Sequence, residues 1–487
     1  EDGQNHGLTV TGITRIGPDS GAADQATLTC NASAISLGSG ITSSAYGVYV
    51  KQGGTFVGGS GTHTLGSLNV YDDAAAKCTL TSGVTTINVE HSRENYNIVV
   101  QDAATFDNAD GTITFTGPSS RIYFRLGTPK PHNVIINSNG NTMTLNQDLT
   151  CEGNLTITAG TLSTSGTDLA LTVTGELHSQ GTFTSNSSTV TVGNLLIEGG
   201  TFNAPDGSGM LNITGEGSSG LGDGYAFRRV SGAFVDNTGT VTFKTPTTTS
   251  IRMGTAGQDF YNVIFDESSA GGVYSTNDEG FTVTNDCTLT DGDFDTTLGT
   301  ATPLIDIQGD LSIGANNTFG GITQTQTSDI SFGSVTIESG GELKATSGTT
   351  TITGTGTILD INGTFTHNNG KVTITGSGDH QTLLPGGATF NNIDLDTTSG
   401  HDTKLQEDII ILGTLDLTDS TDYWIVDANG AGANVTMTMG SSTAQGTIES
   451  AYDSRFRLNP GSSAKCIIQG ASTVNPCKVT SNDWYWD

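Results

Sequence analysis

Along most of this chain apolar and polar residues alternate one by one: Leu155 and Ile157 flank Thr156, and Val241 and Phe243 flank Thr242. A period of two turns one face of an extended strand toward a core and leaves the other in water. No stretch of 12 or more residues carries the 3.6-residue spacing of an amphipathic helix. The pattern therefore predicts an all-β chain of short strands, nearly without helix.

Three phrases recur along these strands. One is an aromatic-Asn or His-Asn step, as at His132-Asn133. The second is Gly-x-Leu-x-Ile, as at Gly153-Asn154-Leu155-Thr156-Ile157, Gly193-Asn194-Leu195-Leu196-Ile197 and, with valine, Gly333-Ser334-Val335-Thr336-Ile337. The third is Gly-x-Val-Thr-Phe, as at Gly239-Thr240-Val241-Thr242-Phe243. Glycines closing such phrases fall at 153, 175, 193 and 215, and again at 309, 333, 354 and 376, a period near 22. Repeats of 20–50 residues mark architectures in which each unit is too thin to bury its own apolar face and must stack on its neighbours. A longer period is superimposed. Gly111-Thr112-Ile113-Thr114-Phe115 returns at Gly239 and again at Gly370, and Asn133 is matched by Asn262 and Asn392, steps of 129 and 130. Leu155, Cys287 and Leu415 then share one inward slot.

These periods predict a right-handed parallel β-solenoid with coils of about 22 residues, and 487 residues would form about 22 coils, a rod of roughly 105 Å at ~4.8 Å per coil. Tandem β-sandwich domains of ~130 residues are the alternative, because strands every 8–12 residues suit them as well. The expected organisation is an N-terminal β region and cap over 1–110, solenoid units over 111–238 and 239–369, a truncated third unit over 370–450, and a C-terminal cap or docking tail over 451–487. That tail holds Trp484-Tyr485-Trp486-Asp487.

Composition narrows the function classes. There are 67 glycines, about twice the ordinary share of ~7 %, and they are expected at coil corners where positive φ is needed. A net charge of −31 from 18 basic and 49 acidic residues offers no phosphate-binding surface, so nucleic acid is not an expected partner. No run approaches the ~20 apolar residues of a spanning helix. The first residue is Glu1, which reads as a processed or partial chain. The six cysteines contain no Cys-x-x-Cys. Cys151 and Cys287 read as small core hydrophobes, whereas Cys30/Cys78 and Cys466/Cys477 are the candidate disulfides.

Few residues suggest chemistry. Asp291, Asp293 and Asp295 alternate and would share a face, as weak candidates for calcium or, in a glycan-cleaving enzyme, for acid–base work. Asp416, Asp419 and Asp422 lie in a similar place one unit later. Asp107-Asn108-Ala109-Asp110-Gly111 resembles a calcium loop but lacks its closing Glu, and reads as a turn entering a strand. The eight histidines are scattered and form no triad. Arg121, Arg125 and Arg252 read as structural partners of carboxylates or carbonyls. No catalytic residue and no cofactor is assigned, with Ca²⁺ the one ion considered.

The phrases Leu149-Thr150-Cys151-Glu152-Gly153-Asn154-Leu155-Thr156-Ile157, Tyr261-Asn262-Val263-Ile264-Phe265-Asp266 and Asp291-Gly292-Asp293-Phe294-Asp295 resemble the repeat-rich β-helical structural proteins of marine bacteriophages, tail fibres and tailspike-like proteins among them. Similar repeats occur in secreted bacterial surface adhesins. The resemblance covers roughly residues 95–450 and implies a location on a virion surface or outside a cell. The expectation is a non-enzymatic structural or adhesive protein on the exterior of a virus particle, a homo-oligomer meeting other virion proteins, copies of itself, or host surface glycans. The alternatives are a secreted prokaryotic adhesin or filament subunit, and a polysaccharide-degrading tailspike.

Overall fold

A computed structural model describes residues 6–481 apart from 20–24, 42–44, 90–95, 102, 118–119, 125–129, 165, 216–223, 255–259, 268–271, 277–278, 297–303, 321–325, 377–379, 398–401, 419–422, 451–455, 461 and 475. Helix accounts for 1 % of it, and the chain is a right-handed parallel β-solenoid of about 15 turns spaced by ~24 residues. Two compact units divide it, Glu1–Val241 and Thr242–Asp487. Strand pairing among the described residues is parallel, whereas sandwiches are built from antiparallel sheets, so the tandem-sandwich alternative is excluded.

In the first unit three columns of strands climb the stack. One column runs through Leu8–Val10, Ile35–Leu37, His63–Leu65, Val84–Ile87 and Thr112–Phe115. The second runs through Thr14–Ile16, Val48–Val50, Leu68–Val70, Tyr96–Val100 and Ser120–Phe124, and the third through Ala26–Thr29, Gly54–Val57, Lys77–Thr79 and Thr105–Asp107. The second unit repeats the plan, with Asn262–Asp266, Cys287–Asp291, Ile305–Ile313, Ile330–Ile337 and Thr357–Ile361 stacked in register. Parallel stacking places like residues over like. Leu155, Cys287 and Leu415 are each fully buried, but they do not share one slot: Cys287 stacks on Leu311 and through it on Val335, whereas Leu415 stacks back through Ile393, Val372, Thr350 and Ile330 to Ile305, in a different column. Phe294 and Phe319 pair in register on successive coils and stack at 5.0 Å between ring centroids, and each such ring withdraws 150–250 Å² from water.

The coils are fewer and less even than a strict 22-residue repeat. Leu177 pairs with Leu195, 18 residues on, but Leu195 pairs with Phe227, 32 residues on. Register is fixed by strand pairing, and a loop leaving a corner can lengthen without disturbing it, so the spacing is ~24 residues rather than a strict 22.

The glycine and asparagine phrases acquire a mechanism at the coil corners. Asn133 Oδ1 accepts the N–H of Asn154 at 2.9 Å, and Asn154 Oδ1 accepts that of Glu176 at 2.8 Å. The anchors one and two repeats later do the same: Asn262 Oδ1 takes the Asp286 N–H at 3.2 Å, and Asn392 Oδ1 takes the Thr414 N–H at 2.8 Å. Each side chain thus satisfies a corner amide of the next coil, which strand ladders leave without a partner. The glycine beside it makes room. A Cβ on Gly175 would stand 2.2 Å from Asn154 Oδ1, and one on Gly354 would stand 2.4 Å from the Gly333 carbonyl oxygen. These ladder glycines lie outside the positive-φ set. Close backbone approach rather than a left-handed conformation requires these, whereas other glycines, Gly160, Gly232 and Gly340 among them, do take the positive φ expected from composition.

All six cysteines are free. Thr29 pairs with Val57 and Val57 with Thr79, so the adjacent Cys30 and Cys78 sit two coils apart. At ~4.8 Å per coil that separation exceeds the ~7 Å reach of a disulfide. Cys466 lies on a strand paired to Val435–Met439, with Sγ 3.1 Å from the Val426 carbonyl oxygen, and Cys477 leads into a different column, paired to Thr447–Ser450. Trp484, Tyr485, Trp486 and Asp487 lie outside the described residues.

Candidate functional site

The aspartates at 291, 293 and 295 do not form one row. Gly292 takes φ = 95° between the strands Cys287–Asp291 and Asp293–Asp295, and alternate residues share a face only along an uninterrupted strand. Asp291 is exposed and lies in register with Asp266, which pairs with Lys244 at 3.2 Å. Asp293 Oδ1 accepts the Thr318 N–H at 2.6 Å, so that carboxylate serves the next coil. Asp295 is buried, at 6 % exposure. Asn317 Oδ1 accepts the Gly292 N–H at 3.1 Å and holds the bend.

The structure adds Glu267, which sequence reading missed. It follows the strand Asn262–Asp266 and is 5 % exposed, and the Gly272 amide is the one donor near its carboxyl among the described residues. Its carboxyl lies against the two glycines of the corner: a Cβ on Gly272 would meet Oε1 at 2.2 Å, and one on Gly292 would meet Oε2 at 3.2 Å. Burial raises its pKa above the ordinary carboxylate value, and the charges of Asp291 and Asp293 add to that, while the Gly272 amide opposes it. Beside it Tyr274 donates its hydroxyl to the Phe243 carbonyl at 3.0 Å, and burial pushes that phenol up to about 12. Among the described residues no three His, Cys, Asp or Glu side chains converge closely enough to hold a metal ion.

The other sequence candidates disperse. Asp416 Oδ1 accepts both the N–H and the hydroxyl of Thr418, at 2.9 and 2.7 Å. Asp419 and Asp422 lie outside the described residues. The Asp107–Gly111 segment is a turn into the strand Thr112–Phe115: Asp107 Oδ1 takes the Ala109 N–H at 2.8 Å, and Asn108 Oδ1 takes the His132 N–H at 3.0 Å. Arg121 is exposed on the strand Ser120–Phe124, Arg252 ends the strand Thr249–Arg252, and Arg125 lies outside the described residues.

A second polar group was also invisible in sequence. His178 Nε2 and Glu198 Oε2 lie 2.9 Å apart on neighbouring coils, and Gln180 donates to the same oxygen at 3.2 Å. Burial raises the pKa of nearby Glu176, a shift that the His178 charge opposes and that of Glu198 reinforces. A shared coil corner was the available signal, since Glu176 and Asn194 pair across the same register. The group joins two carboxyls and an imidazole along one outer corner.

Compared with family models, curated proteins and solved structures, the chain matches none.

Proposed function

We propose that this chain is a non-enzymatic structural and adhesive shaft on the exterior of a virus particle, working as a homo-oligomer beside other virion proteins. The observation that carries the reading is the use made of its polar side chains. Asn133, Asn154, Asn262, Asp286 and Asn392 each bond the amide of the following coil, and Asp148, Asp329 and Asp408 do likewise for Ala170, Thr349 and Thr436. Residues that could have built a reaction centre instead clamp coil to coil, as suits a rigid spacer. A charge of −31 favours a solvated, mutually repelling exterior.

Immunogold electron microscopy of native particles tests it. Gold on virion projections is the expected result. Gold confined to cell walls or extracellular filaments would replace the reading with a prokaryotic surface adhesin. Reducing ends or unsaturated sugars released from host surface polysaccharide by the purified chain would make it a degrading tailspike.

A further inference from the structure

One surface of the first unit runs against the acidic character of the chain. Register sets Arg15 beside Tyr49 and Tyr49 beside Asn69 on three successive coils. Ile16, Val48, Val50, Leu68 and Val70 fill the core, so the alternating residues Arg15, Tyr49 and Asn69 stand on the outer face. Lys51 and Tyr71 continue that face two positions further on, their amides bonded to the Ile16 and Val50 carbonyls of the preceding coil.

Two cations and two phenol rings meet there. The Arg15 guanidinium carbon lies 5.6 Å from the Tyr49 ring centroid, and Lys51 Nζ lies 5.5 Å from the centroids of both Tyr49 and Tyr71, within cation–π range. Tyr71 is 42 % exposed, a large ring open to solvent. Asn69 is covered by its neighbours, and its Oδ1 has no hydrogen-bond partner among the described residues. The patch already takes up a carboxylate, that of Asp19, whose side chain is 73 % exposed yet ion-paired to Lys51. The hydrogen bond and charge of Lys51, reinforced by Arg15, hold the Asp19 carboxyl below its usual range.

We infer that this face, Arg15, Tyr49, Lys51, Asn69 and Tyr71, binds a carboxylate-bearing polysaccharide, with Asp19 occupying the place of one ligand carboxylate in the free protein. The inference rests on the adhesive reading above and names its ligand class. Carboxylates select the two cations, which are scarce on a chain of this charge, and a sugar's apolar C–H face suits the open Tyr71 ring. The coil pitch of ~4.8 Å repeats the outer positions along one line, which favours an extended polymer over a compact anion.

Isothermal titration of the full chain with an alginate hexasaccharide, maltohexaose and poly-glutamate tests this at low salt. The expected result is alginate binding at least about tenfold tighter than either control. Arg15→Ala and Tyr71→Ala should each weaken it about fivefold or more, with unchanged circular dichroism, and Asp19→Asn should tighten it several-fold by vacating Lys51. No alginate binding, equal binding of poly-glutamate, or an Asp19→Asn variant that binds no better overturns the inference. Each of those results leaves the microscopy free to support the shaft on its own.

Discussion

Acid should unlock the first unit at His63. The ring is fully buried, and neither nitrogen has a hydrogen-bond partner among the described residues. Ile35 and Thr85 pair with it on the coils either side, Phe56 meets it edge-on at 5.8 Å, and a Cβ on Gly58 would stand 2.9 Å from its Cε1. None of these neighbours carries charge. Burial pushes the imidazole down to about 4, against a slight opposing pull from the Gly58 backbone. Between pH 6.5 and 4 the unfolded chain therefore binds a proton that the folded chain refuses, and stability falls as pH falls across that window. At 1.36 kcal/mol per pH unit the loss attributable to this one ring reaches ~3 kcal/mol by pH 4 and levels off below it. His63→Leu keeps an apolar group of similar size against Phe56 and removes the two unpartnered nitrogens. It should be at least as stable at pH 7.5 and should lack this part of the acid loss. Urea unfolding followed by far-UV circular dichroism at pH 7.5, 5.5 and 4.5 measures both proteins, and their difference cancels the titration of the many carboxylates. Parallel acid losses in the two proteins, or a His63 imidazole that titrates by NMR near 6.5, would refute the reasoning.

The other predictions address core, corner and acid cluster. Leu155→Asp or Leu415→Asp places an unpaired charge in a fully buried slot and should cost ~4 kcal/mol or more, whereas Thr156→Asp, on the outer side of the same strand, should cost under ~1 kcal/mol; equal small losses in urea melts would show the register to be wrong. Asn154→Ala strips the Glu176 amide of its acceptor and should cost ~1 kcal/mol, but Asn141→Ala, whose side chain bonds the nearby Asn139 carbonyl, should stay within ~0.5 kcal/mol. Glu267 has its folded pKa raised, so the stability it contributes is full below its unfolded value of 4.5 and is lost as pH rises through the folded one. Glu267→Gln should consequently be more stable than wild type at pH 8 and equal to it at pH 4, and a variant less stable than wild type at pH 8 would show that the carboxylate is satisfied.

Strand content, the inward slots at Leu155, Cys287 and Leu415, and the stacking itself were legible in the amino-acid order. Parallel coils superimpose equivalent residues, so a tertiary repeat is written directly as a sequence period. The asparagines at 133, 262 and 392 were visible as markers for the same reason, although their work of capping the next coil emerged only with coordinates. What tertiary structure alone decided is everything that depends on how much chain lies between two coils. The step of 18 residues from Leu177 to Leu195 and of 32 from Leu195 to Phe227 cannot be had from alternation, because a corner loop adds residues without adding a rung. That variable offset hid the meeting of His178 with Glu198, of Glu267 with the Asp291–Asp293 bend, and of Lys51 with Asp19. It also separated Cys30 from Cys78 by two coils. Local order determines which face a residue takes, and the length of each loop determines whom it meets there.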